Sequence, residues 1–185
     1  MMRLMGEEGV AALTIVLYAQ FIFNAAYMGF SNSVAPIISF NYGSKDVAYL
    51  KKLFRHCIII IGGSTVLMIM SSLLFVRPLL ALFIPRGGQV YDLAYRGYMV
   101  FVWNFLFSGF NIFASALFSA LSNGKISALI SFLRTFVFII GAILLLPILW
   151  GGGGIWLAIP VAEFLACVIT APLLLWYGKK VYNYL

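Results

Sequence analysis

Charged residues in this chain are sparse and lie between long apolar runs. None occurs between Glu8 and Lys45, between His56 and Arg77, or between Arg96 and Lys125. Beyond Lys125 only Arg134 interrupts a run to Pro147 and Trp150; Gly151 to Gly154 follow, and a last apolar stretch reaches Tyr177 around a lone Glu163. A helix needs roughly 20 residues to cross the hydrocarbon core of a bilayer. The pattern therefore predicts an all-α integral membrane protein with about five transmembrane helices, at about 9–40, 57–84, 97–122, 126–150 and 154–178. Transmembrane strands are short and alternate in polarity, which these runs do not. Pro36, followed by Asn41-Tyr42-Gly43, predicts a kink and then a turn, and Pro147, Pro160 and Pro172 predict breaks in spans four and five.

Composition sharpens this into a choice of solvent. Of 185 residues, 64% are hydrophobic and 9% charged, against ~25% charged in soluble domains. Lipid must be the main solvent, and residues 1–185 read as a single transmembrane domain. The net charge of +7 does not indicate nucleic acid, because the Lys and Arg residues punctuate apolar runs instead of gathering on one solvated face. Lys45, Lys51, Lys52, Arg55, Lys125, Lys179 and Lys180 fall on one side of the bundle, and Arg3, Arg86 and Arg96 on the other. The positive-inside rule makes the first side cytoplasmic, with the N-terminus outside and the C-terminus inside. Glu7 and Glu8 stand where a signal peptide would carry basic residues. An external N-terminus without a signal peptide leads us to expect further chain upstream.

Two polar stripes run inside the apolar segments. Gln20, Asn24, Tyr27 and Ser31 recur at i, i+4, i+7 and i+11, and Asn104, Ser108, Asn111 and Ser115 repeat that spacing, so each set shares one helix face. These eight residues are candidates for lining a wet cavity. Polar helix contacts are the competing reading, and Ser115 and Ser119 with Ala116 and Ala120 make a small-xxx-small surface suited to one. Glu163 is the lone acid within a span. It lies nine residues beyond Gly154, roughly 14 Å deep, and forms a polar face with Cys167 and Thr170. Arg134, nine residues past Lys125, reaches a similar depth from the other side. The two are candidates for a buried pair, for coupling or for polar support; alternatively Glu163 bonds backbone at the Pro160 kink and Arg134 snorkels to the interface.

Other signals are weak. Cys57 and Cys167 are far apart in apolar runs, with no CxxC and no His cluster, so inert buried thiols are expected and no metal site. Gly151 to Gly154 lacks the GK[ST] of a phosphate loop and reads as an external turn. His56 sits in the basic segment Lys51 to His56, suited to anionic headgroups, and Trp150, Trp156 and Trp176 are placed as interfacial anchors. Five acids and one histidine, mostly in loops, offer no catalytic set, and no channel filter is visible.

Several elements resemble one family. Ala35 to Gly43 (APIISFNYG), Ala120 to Lys125 (ALSNGK) with Arg134 following, Leu146-Pro147, and Gly154 to Glu163 (GIWLAIPVAE) are similar, in order and spacing, to the multidrug and toxic compound extrusion (MATE) transporters, in particular a MepA-like branch. On that resemblance Pro36, Asn41, Tyr42, Gly43, Gly124, Lys125, Pro147 and Pro160 are structural motif positions. Such transporters have two six-helix lobes around a central cavity and export organic cations or drugs in exchange for protons or sodium. The resemblance implies helices eight to twelve of twelve: part of the C-terminal lobe, in a bacterial plasma membrane, lacking the N-terminal lobe and inactive alone. Asn111 falls where some sodium-coupled relatives carry an acid. No cofactor beyond the coupling ion is implied. Alternatives are a lipid-linked saccharide flippase of similar architecture, which would favour a cationic cavity, and a non-transporting fragment or interaction subunit.

Overall fold

The computed structural model describes residues 2–184, and among them there are five helices long and apolar enough to cross a membrane, and no strand. Span one is the helix Met2–Gly43, interrupted at Gly6, whose φ of 66° a residue lacking Cβ adopts at little cost. Span two is Val47–Ala81. Span three runs over Gln89–Ala120 with a 3-10 turn at Val102–Asn104, span four over Gly124–Trp150 with a π-helical turn at Leu133–Phe138, and span five over Gly152–Lys180. The Arg3 side chain, counted above on the outer side, lies outside the described residues.

Span three is the axis of the bundle. It packs against all four others, whereas spans one and two pair on one flank and spans four and five on the other. Three apolar cores result, one at each end and a smaller one between spans four and five around Ala142, Leu146, Ala158 and Ala162. Val16, Leu80, Tyr98, Phe101, Phe105 and Trp156 fill the end away from the lysines, and Ile38, Leu50, Phe113, Leu117, Phe118 and Tyr184 fill the basic end. The buried amides and hydroxyls lie between the two ends.

Several expectations need correction. Span two begins ten residues before the anticipated position 57, because Asp46 caps it, its carboxylate accepting from the Tyr49 N–H at 2.9 Å. Lys51 to His56 therefore form the second and third helical turns and not a loop. A charged side chain stays out of hydrocarbon without ending the backbone hydrogen-bond ladder. Span three likewise starts at Gln89 and not near 97. The breaks expected at Pro147, Pro160 and Pro172 are absent: each proline sits within a continuous helix, as Pro36 does, and the turn expected after Asn41-Tyr42-Gly43 follows at Ser44 and Lys45. In lipid, breaking a helix would free several backbone groups where one proline removes a single donor.

The turn assigned to Gly151 to Gly154 shrinks to Gly151, at φ 56°, and the helix resumes at Gly152. Gly154 has another task. It lies against the Leu146 carbonyl and the Pro147 nitrogen, so spans four and five touch backbone to backbone where a Cβ would collide. Trp156, expected at the interface, is 6% exposed and lies flat on Gly97 of span three, where no side chain intervenes. Trp150 and Trp176 are exposed, as anchors require.

The motif residues at the basic end build a staple. Asn41 Nδ2 donates to the Ile37 carbonyl at 2.7 Å, and the Tyr42 ring meets Tyr182 edge-on at 5.5 Å. Asn123 caps span four through Ile126 N and donates to the Tyr182 hydroxyl at 3.0 Å. Gly124 is the first residue of that helix, and Lys125 beside it is exposed. The segment after Lys180 thus returns into the bundle, where Tyr184 donates to the Leu174 carbonyl at 3.1 Å and packs its ring, tilted, against Phe54 at 4.6 Å. Burial pushes both phenols above their ordinary value, so they stay protonated at neutral pH.

Gly154→Ala is expected to destabilise the detergent-solubilised protein by about 1–3 kcal/mol, because the added methyl meets backbone that cannot rotate away. Gly153→Ala, with open space around it, should leave thermal unfolding unchanged or raise it slightly. Equal effects of the two would contradict the backbone contact.

Candidate functional site

The polar layer centres on Glu163, 2% exposed in the middle of span five. Arg134 reaches it from span four with a forked grip. Its Nη2 donates to Oε1 at 2.6 Å, and its Nε donates to Oε1 at 2.9 Å and Oε2 at 3.0 Å. Asn111 of span three completes the set, its Nδ2 donating to Oε2 at 2.8 Å and to the Glu163 main-chain carbonyl at 2.9 Å. Three helices meet at one carboxylate, and both of its oxygens are filled with donors. A bidentate, fully hydrogen-bonded grip of this kind is the arrangement that makes an arginine and a carboxylate tolerable away from water. The Glu163 side chain accepts from Arg134 and Asn111, not from backbone near Pro160.

Arg134 owes its position to the π-helical turn Leu133–Phe138. Such a turn inserts one extra residue per helical repeat and shifts the direction in which neighbouring side chains point. No feature of residues 133–138 marks it in the sequence.

One side of the Arg134 guanidinium opens into a cleft of about 310 Å³ between spans one, three and four. Of the eight stripe residues, Asn24, Ser31 and Ser115 line it, together with Asn32, Ser131 and Arg134. Gln20, Tyr27, Asn104 and Asn111 tie helices together. Gln20 Nε2 donates to Asn104 Oδ1 at 3.2 Å, Asn104 Nδ2 donates to the Phe101 carbonyl at 2.6 Å, and the Tyr27 and Thr65 hydroxyls are 2.9 Å apart. Tyr27 reaches Thr65 across Gly109, which leaves room for its ring. Ser108 is fully buried. Ser115 does both, lining the cleft and bonding Ser127 and Ser131 of span four.

Ser127 and Ser131 were not singled out from the sequence. With Ser115 and Ser119 they form a hydroxyl ladder, Ser119 to Ser127 at 2.8 Å, Ser127 to Ser115 at 3.0 Å and Ser115 to Ser131 at 2.7 Å. Their i, i+4 spacing, facing the same spacing in span three, was the available signal. Four buried oxygens, Asn24 Oδ1, Ser31 Oγ, Ser108 Oγ and Asn111 Oδ1, have no hydrogen-bond partner among the described residues. Buried polar atoms without a protein partner point to water or a ligand, and Asn24 and Ser31 lie in the cleft wall. No group of three or more His, Cys, Asp or Glu residues able to hold a metal occurs among the described residues.

Arg134→Gln leaves a buried carboxylate without its counter-charge and is expected to cost about 3–5 kcal/mol in detergent unfolding. Glu163→Gln should cost less, because Gln still accepts from Asn111 and Arg134, being 19% exposed, can turn toward the cleft. The double variant should be more stable than Arg134→Gln alone; losses that merely add would show the two groups to be energetically independent.

The fold has relatives. The MatE family profile matches residues 1–144. A multidrug resistance MATE family transporter of the MOP superfamily, in an outward-facing conformation, superposes with a TM-score of 0.85 at 20% identity, covering 99% of this chain and 41% of that one. A MATE protein in complex with MaL6 superposes with a TM-score of 0.85 at 18% identity, with the same coverage. No curated protein matches the chain. The chain spans about two fifths of the length of these transporters and shares their helical fold over nearly its whole length. With a profile match across most of its residues and five membrane-length helices in the arrangement of these transporters, the chain belongs to the MatE family of membrane transporters.

Proposed function

We propose that the chain is helices eight to twelve of a MATE-type exporter of the MepA-like branch, the greater part of its C-terminal lobe. It would export organic cations in exchange for protons or sodium across a bacterial plasma membrane, with the lysine-rich end in the cytoplasm. The observation that carries this reading is the cleft: amides, hydroxyls and one face of a buried ion pair open on a surface that is otherwise apolar. A polar opening of that kind in hydrocarbon needs a facing wall, which a first lobe would supply. The two lobes would then enclose a cavity near the bilayer midplane, as alternating access by two rocking bundles requires.

Within this scheme Glu163 has a defined part. A proton or sodium ion arriving at its carboxylate would replace Arg134 as counter-charge, free the guanidinium to turn into the cleft, and loosen the tie between spans four and five on one side and span three on the other. A cationic substrate would be repelled by the freed Arg134 and retained by the closed pair. Substrate and coupling ion would thus be bound in alternation.

Ethidium efflux tests the proposal. Cells expressing the chain completed by a first lobe and helix seven should retain less dye than cells expressing the chain alone, and the completed protein with Glu163→Gln should lose most of that efflux. Efflux from the chain alone would overturn the partial-machine reading. Unimpaired efflux by the completed Glu163→Gln variant would reduce the carboxylate to a structural support.

A further inference from the structure

A second cavity lies apart from the polar layer, on the outside of span two at the basic end. It measures about 520 Å³ and is lined by Lys51, Phe54, Arg55, Ile58, Ile59 and Tyr184. Lys51, Arg55, Ile58 and Ile59 stand at i, i+4, i+7 and i+8, so they share one face of the helix. Their order along that face is the order of groups in a phospholipid. The two cations are at the mouth and the isoleucines lie deeper, about 12 Å further along from Lys51 to Ile59. Phe54 and the returning Tyr184 form the inner wall, their rings tilted at 38° with centroids 4.6 Å apart, and Tyr184 is held by its hydrogen bond to the Leu174 carbonyl.

Charge selects among lipids. The ion pair of Arg134 and Glu163 is the one salt bridge among the described residues, so neither Lys51 nor Arg55 faces a carboxylate within 4 Å there. Of the five acids in the sequence, only Asp46 lies near this end, and its carboxylate accepts from the Tyr49 N–H as the helix cap. Both cations are solvent-exposed and one helical turn apart, spaced to hold one phosphate between them.

We propose that this groove is a binding site for a single anionic phospholipid, whose phosphate sits between Lys51 and Arg55 and whose acyl chain lies along Ile58 and Ile59 against Phe54 and Tyr184. The proposal is independent of transport. Bound lipid would also cover Tyr184 and hold it against Phe54.

Native mass spectrometry of the full chain in detergent, titrated with phosphatidylglycerol or phosphatidylcholine, tests the assignment. The wild type should retain one phosphatidylglycerol at least tenfold more strongly than phosphatidylcholine. Lys51→Gln with Arg55→Gln should abolish that preference. Lys179→Gln with Lys180→Gln, which removes the same charge from the same end, should leave it intact, and all three proteins should share one thermal unfolding temperature. Tyr184→Ala should weaken retention while keeping the headgroup preference. Equal retention by the two double variants would show unspecific attraction to a basic surface and overturn the site. Displacement of the lipid by millimolar inorganic phosphate would show a free-anion site and overturn it equally. If the Lys51/Arg55 variant unfolds, Ile59→Trp on the wild-type charge background decides: its fluorescence should be quenched by brominated phosphatidylglycerol ahead of brominated phosphatidylcholine, and equal quenching overturns the proposal.

Discussion

A carboxylate in hydrocarbon costs several kcal/mol unless its charge is cancelled and its lone pairs are filled. Glu163 meets that condition with a guanidinium from span four and an amide from span three, and the demand explains much of the surrounding geometry. Span three must pass close enough to offer Asn111, so it occupies the centre. Span four must turn Arg134 inward, which its π-helical segment does. Span five must bring the carboxylate to mid-depth, and its contact with span four at Gly154 sets that register. The polar layer is therefore a specification of how three helices stand, with apolar packing above and below it.

The two apolar ends differ in kind. The end holding Trp156 and Tyr98 packs large rings against glycine and small residues, Trp156 on Gly97 and Tyr98 hydrogen-bonded to Ser72 at 2.8 Å. The basic end is fastened by aromatic and amide contacts among residues distant in the chain, Tyr42, Asn123, Tyr182 and Tyr184. The family motif around Asn41 to Gly43 and the one around Asn123 to Lys125 meet there, so their residues serve helix ends and tail docking while the cleft lies deeper.

The long helices and the shared level of Arg134 and Glu163 were legible because hydropathy and a fixed rise per residue are local properties. The stripes were legible as faces, since 3.6-residue periodicity needs no knowledge of neighbours. What faces them was not: Gln20 meeting Asn104, and Tyr27 meeting Thr65, depend on which helices pack together. Charges misplaced the start of span two because a helix continues through the interface as long as lysines can reach water. Prolines misplaced the breaks because continuous hydrogen bonding is at a premium in lipid. The buried position of Trp156 depends on an absent side chain at Gly97, far away in sequence, and the returning tail on a cap at Asn123; neither leaves a trace in local pattern.

The single-residue link at Gly151, with the Gly154 backbone lodged against the Leu146 carbonyl, has a mechanical consequence. Helices in such intimate register have no slack to slide or splay, so spans four and five form one stiff lever. Any tilting of the lobe would carry Arg134 and Glu163 together, and compliance would have to arise where the lever leans on the central helix, at the Asn111 amide and along the serine rungs. Hydroxyl and amide bonds re-form readily after a small displacement, which makes that seam a natural slip plane.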